Sequence, residues 1–294
     1  MVPLIRLDST NFSQWPTSQQ KTLRAIFYED SQKSFEISPE LIQLSPVLKE
    51  LIENKKDFIL LEECDSKILD ILNQYSQGLS IHNFEEGNLL QMLKVAIFLK
   101  IDLLIKDFDE AIKTLNEKKM STLLQIYKIS IDHNLSSLKE ECMKHMSIKL
   151  CEASPRMKPW FDYPQYSSNL EELLKSKQPL TKFYVRLKNF FSETNVEMVL
   201  TRNKDIAIQH VIFQWEGGND ELNKWDKLWD PLKQIPLGSL EIIYSDPIKA
   251  DPDLLAKKRW VENLSYCHLN TIKIDGKILK APFTIEDLKE FLKK

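Results

Sequence analysis

The chain has 294 residues, 43% of them apolar and 28% charged, the make-up of a folded protein large enough for two hydrophobic cores. Its 40 basic side chains nearly balance 43 acidic ones, and neither sign forms a block longer than Lys257-Lys258-Arg259. That balance excludes a strong electrostatic pull on nucleic acid or anionic lipid and leaves protein as the expected partner.

Met1 to Asp8 have neither the basic nor the apolar run of a secretory leader. Leu89 to Ile105, the most apolar stretch, is interrupted by Lys94, Lys100 and Asp102, against a membrane span. Cys64, Cys142, Cys151 and Cys267 are scattered without a CxxC pair, which points to reduced core thiols rather than a zinc ribbon or a disulfide framework. A cytoplasmic protein is expected.

Residues 1–20 are polar, with Trp15-Pro16 as their only emphatic feature, and form a lead-in segment. From Thr22 to Tyr28 the run is rich in β formers. Glu29 to Lys33 supplies turn chemistry and Ser34 to Ile37 is extended again, so a hairpin is expected. Ser38-Pro39-Glu40 starts a helix, because the serine can cap orphan amides and the proline lacks the amide that would be orphaned. Leu41, Leu44, Leu48, Leu51 and Ile52 carry that helix to Asn54, and Phe58 to Leu61 is a short apolar strand. Asp65 caps a further helix with Ile68, Ile71, Leu72 and Tyr75 on one face, ended by Gly78. A helix from Asn88 carries Leu89, Leu90, Leu93, Ala96 and Ile97, and another runs from about Asp102 to Thr114.

Three segments in this order resemble the BTB/POZ superfamily, and especially the branch of the small adaptor of SCF-type ubiquitin ligases. They are Phe35-Glu36-Ile37 in the hairpin, Leu41 to Lys49 around Ser45, and LQMLKVAIFLKIDLL from Leu90 to Leu104. In the last, Ala96, Phe98, Leu99, Ile101, Leu103 and Leu104 stand where the family has an Ala-rich helix, an aromatic-Leu pair, a tight bend and a Leu-Leu helix. The resemblance implies an α+β domain over residues 21–115. It also implies that Phe98 contacts a cullin scaffold, with Ile97 standing where the family usually carries Asn, and it allows a homodimer. Read from the residues alone, Phe98 is equally a core aromatic. Helices from Lys119 to Ile131 and from Leu135 to Leu150 resemble the start of the BACK helical extension and place such an extension at 116–152. His133 and His145 lack companion ligands for a metal.

Between residues 153 and 180 the sequence turns irregular, with four prolines, and reads as a connector. A helix is expected from Thr181 to Phe191. Beyond it an L-x-x-L-x-L pattern occurs three times, at Ile208, Val211 and Phe213, at Leu237, Leu240 and Ile242, and at Leu269, Ile272 and Ile274. In strict register the steps are 29 and 32 residues. Each strand precedes a helix candidate, Glu221 to Gln234, Pro252 to Leu264 and Thr284 to Leu292. The pattern over 181–294 resembles the long leucine-rich repeats, in which parallel strands line one face and helices the other. A small α/β layer fold with a parallel sheet accounts for it too. Alternation along the strands then presents His210, Ile212 and Gln214, Ser239, Glu241 and Ile243, and Thr271, Lys273 and Asp275 on an open face suited to a protein ligand, or on a merely solvated one. Trp225, Leu228, Trp229 and Leu232 repeat at helical spacing as a core stripe.

Nothing in the sequence assembles a catalytic site or a cofactor cradle. Gly217-Gly218 is the only glycine cluster, neither phosphate-loop motif occurs, Glu62-Glu63 reads as a solvated strand end, and Cys267-His268 are merely adjacent. The expected function is that of a non-enzymatic adaptor, with the first domain docked on a cullin-type ligase and the C-terminal module selecting a substrate protein. A BTB-like oligomerising scaffold without a ubiquitin role is the alternative.

Overall fold

The computed structural model describes residues 23–27, 30–61, 64, 66–78, 86–114, 119–152, 164–187, 192–215, 222–244 and 254–293. The lead-in segment, Glu62-Glu63, Asp65 and Gly217-Gly218 therefore lie outside the described residues. The chain divides into two compact units, residues 1–118 and 119–294, each with its own sheet.

The first unit is α+β. Strands β1 (Arg24–Phe27) and β2 (Asp30–Glu36) form the expected antiparallel hairpin, and β3 (Phe58–Leu61) joins β1 in parallel to give the order β2-β1-β3. The helix expected from Ser38 to Asn54 is instead two helices, α1 (Pro39–Leu44) and α2 (Pro46–Glu53). Pro46 has no amide to continue the first helix, and Ser45 turns extended and caps the second. Ser38 caps α1 as expected, its hydroxyl accepting the Leu41 amide at 3.1 Å. Helix α3 (Ser66–Ser76) is followed by Gly78 in the left-handed region, and α4 (Glu86–Phe98) and α5 (Asp102–Thr114) complete the unit. Of the apolar positions read from the sequence, Leu41, Leu48, Ile68, Leu72, Leu93, Ala96, Leu99, Ile101 and Leu104 are buried, while Leu44, Leu51, Ile52, Ile71, Leu90, Ile97 and Leu103 are half-buried.

Helices α6 (Met120–Asp132) and α7 (Ser136–Cys151), expected as an extension of the first domain, belong to the second unit, where α7 lies along strand β4 (Lys182–Leu187). The expected connector contains α8 (Pro164–Ser176), packed on α6 and α7 through Leu170 and Leu173. Over Lys182–Leu187 strand β4 replaces the helix expected from Thr181 to Phe191, whose residues 188–191 lie outside the described residues. Phe183, Val185 and Leu187 bury one face against the core, and the other face holds half-buried Lys182 and Arg186 with Tyr184 buried between them. After β4 come α9 (Glu193–Thr201), α10 (Asn203–Ile206), β5 (His210–Trp215), α11 (Leu222–Gln234), β6 (Ser239–Tyr244), α12 (Leu254–Leu264), β7 (Thr271–Ile274), β8 (Lys277–Lys280) and α13 (Ile285–Lys293).

The sheet runs β4-β5-β6-β7-β8, parallel throughout except for the antiparallel last strand. Its registers align Lys182, His210, Ser239 and Thr271, so the unit repeats at steps of 28, 29 and 32 residues. One backbone device recurs at each step. The Thr181 carbonyl accepts the amides of Gln209 and His210, the Gln209 carbonyl those of Gly238 and Ser239, and the Gly238 carbonyl those of Asn270 and Thr271. Successive parallel strands joined by right-handed crossovers, always stepping the same way, place their helices on one side. Accordingly α9, α11, α12 and α13 pack on one another in chain order, and Phe183, Val211, Phe213, Leu240, Ile242 and Ile272 are buried beneath them. Leu228, Trp229 and Leu232 of α11 are core, as their spacing indicates; the side chain of Trp225 lies outside the described part.

Candidate partner-binding surfaces

In the first unit the bend between α4 and α5 is a Schellman turn. The Ile101 amide donates to the Ala96 carbonyl at 2.9 Å and the Lys100 amide to the Ile97 carbonyl at 3.1 Å, with Lys100 left-handed at φ 54°. A lysine there lacks the steric freedom of glycine, so the turn is held by its surroundings. Ala96, Leu99 and Ile101 hold it from inside. Ser45 holds it as well, its hydroxyl donating to the Leu99 carbonyl at 2.6 Å while accepting the Leu48 amide at 3.1 Å. The consequence is that Phe98, the last residue of α4, is turned outward and 54% exposed, so it is not a core aromatic; Ile97 beside it is half-buried.

In the second unit the pairing brings eight of the nine expected face residues onto one side of the sheet. One row across the strands is Lys182, His210, Ser239, Thr271 and Lys280; the next is Tyr184, Ile212, Glu241, Lys273 and Ile278; a third holds Arg186, Gln214 and Ile243. Asp275 is the exception. It lies past the end of β7 in the turn to β8, exposed and left-handed at φ 45°, so it is not a strand residue of the face. Ile212 is on the expected side yet buried. Between the apolar groups the face is charged. Lys273 meets Glu241 at 2.6 Å, Lys182 meets Glu140 of α7 at 2.7 Å, and the His210 Nε2 lies 3.6 Å from Glu241, too far for a hydrogen bond. Burial lowers the His210 imidazole below its usual 6.5; Glu241 and Glu140 oppose that, and Lys182 and Lys273 add to it. The residue is neutral at neutral pH, and among the described residues its Nε2 has no hydrogen-bond partner.

Strand β4 and its residues Lys182, Tyr184 and Arg186 were missing from the sequence reading, although Leu180, Phe183 and Val185 repeat L-x-x-L-x-L a fourth time. Strand β8 was missed too. Its signal is Asp275-Gly276, the two-residue hairpin turn in which both residues take positive φ, 45° and 81°. The Cys267 thiol is buried and pushed up to about 11 by desolvation, and it donates to the Asn263 carbonyl at 3.4 Å, while His268 is exposed. All four cysteines are free thiols. Among the described residues no three His, Cys, Asp or Glu side chains gather as metal ligands would, and no helix is long and apolar enough to cross a membrane. No protein-family model matches the sequence, and no curated protein matches it.

Proposed function

We propose that the chain is a protein-interaction adaptor that presents Phe98 to a cullin-type ligase scaffold and uses the open sheet face of its second unit to hold a substrate protein. The observation that carries this reading is the exposure of Phe98 on a rigid turn. A solvent-facing aromatic on a preorganised bend costs little entropy to bury and suits an interface anchor. The strand order β2-β1-β3, with paired helices before and after β3, supports the resemblance to the BTB/POZ superfamily. The three steps of 28 to 32 residues support a leucine-rich-repeat-like second unit. Its open face offers half-buried Ile243 among Lys182, Arg186, Glu241 and Lys273, with Tyr184 and Ile212 buried between them, a composition suited to protein rather than to a small apolar ligand.

The test is to mix the purified chain with a panel of cullin N-terminal domains and follow complex formation by size exclusion with light scattering, beside Phe98→Ala. Loss of an anchoring aromatic weakens a complex by about 2 kcal/mol or more, roughly thirtyfold. A complex that forms with one cullin and fails in the variant supports the adaptor reading. Failure with every cullin refutes it and leaves a BTB-like scaffold.

A further inference from the structure

Strand β8 forms one border of the second sheet, and among the described residues no strand pairs with its outer side. Lys277, Ile278 and Lys280 are exposed, Ile278 to 56%, and Leu279 is half-buried. The pairing shows which backbone groups point away from β7. The Ala281 amide donates to the Asn270 carbonyl at 2.9 Å, and the register sets Leu279 opposite Ile272 and Lys277 opposite Ile274. Bonded and non-bonded pairs alternate in an antiparallel ladder, so residues 277, 279 and 281 turn their N–H and C=O groups to β7. Ile278 and Lys280 turn theirs outward, which makes the edge a template for one more strand.

The side chains select the occupant. In an antiparallel pairing of two copies of β8 the outward-turned residues 278 and 280 of one copy oppose those of the other, so within residues 277–280 no lysine meets an acidic side chain and four cations gather along one seam, which destabilises the pair. Among the described residues neither lysine has an ion pair. An added strand meets, in order along β8, a cation, two apolar side chains and a cation. We propose that this edge captures an extended segment of a partner protein with the pattern acidic, apolar, apolar, acidic, as a sixth strand. The pattern is symmetric, so it holds for either strand direction. The edge borders the open face, to which Ile278 and Lys280 also belong, and the proposal does not rest on the ligase reading.

The experiment titrates the full-length protein into a fluorescein-labelled peptide with a Glu-Val-Val-Glu core flanked by Gly-Ser, read by fluorescence anisotropy, with hydrogen exchange at residues 278 and 280 followed in parallel. The expected result is saturable binding below about 1 mM that weakens with salt, together with slowed exchange at those two amides. The double variant Lys277→Glu, Lys280→Glu changes only exposed side chains and lowers affinity about tenfold. A peptide N-methylated through its core cannot supply the ladder hydrogen bonds and fails to bind. Equal binding of the N-methylated peptide, no binding up to about 1 mM, or a dimer of the free protein in which the two amides are already protected overturns the proposal.

Discussion

Replacing Ser45 by alanine tests whether one hydroxyl locks the bend that displays Phe98. The side chain is wholly buried and does two things at once: it caps α2 through the Leu48 amide and donates to the Leu99 carbonyl at 2.6 Å. Losing the cap costs about 1 kcal/mol. Leaving a carbonyl unsatisfied where water is excluded costs about 1–3 kcal/mol more. The expected loss is thus about 2–4 kcal/mol, confined to the first unit. Tryptophan fluorescence is a poor probe of it, because five of the six tryptophans lie between residues 160 and 260, in the second unit. Native-state hydrogen exchange read on peptides covering residues 36–55 and 89–105 is the suitable assay. Those peptides are expected to exchange about 30- to 1000-fold faster in the variant, with peptides of the second unit unchanged. An increase below about threefold would refute the reasoning, since the bend would then hold without the hydroxyl.

Lowering the pH is expected to destabilise the second unit through His210. Its folded pKa lies below the usual 6.5, so the unfolded chain binds the proton more readily, and stability falls as pH drops through 6.5 toward the folded value. His210→Asn should flatten that part of the slope in thermal midpoints measured by tryptophan fluorescence between pH 7.5 and 5; an unchanged slope would assign it elsewhere. The Glu241–Lys273 pair, with Glu241 only 13% exposed and Lys273 38%, should show a coupling of about 0.5–1 kcal/mol in a double-mutant cycle of Glu241→Gln and Lys273→Met followed by urea unfolding. Additive effects would mean that the two charges are held apart by water. Gly276→Ala places a side chain where no atom lies within 4 Å, at φ 81°, so its cost is conformational alone, about 1 kcal/mol in the same urea assay. A loss several times larger would mean that the turn makes contacts beyond its own backbone.

Much of the first unit is legible in the sequence because its signals are local. Ser38-Pro39 caps a helix, the hairpin shows alternation between turn residues, and the apolar spacing of Leu90 to Leu104 gives two helices and the bend between them. The break at Ser45-Pro46 was equally local but was overridden by leucine spacing that ran through it without interruption. Whether Phe98 is core or surface was not legible, since the same period serves either outcome until the turn at Lys100 sets its direction.

In the second unit the sequence by itself determined three of the five strands and the sides on which His210, Ser239, Glu241, Ile243, Thr271 and Lys273 fall, because a period of two assigns faces without reference to neighbours. Only the tertiary structure decided that Lys182 to Leu187 is a strand, that α6 and α7 pack with this sheet rather than extend the first domain, and that Asp275 leaves the face for a turn. The reason is that strand pairing and domain membership are settled by partners distant in sequence. The segment Thr181 to Phe191 carries a residue pattern that a helix could use, and the parallel ladder to His210–Trp215, which supplies its backbone hydrogen bonds, lies about thirty residues on, beyond any local window.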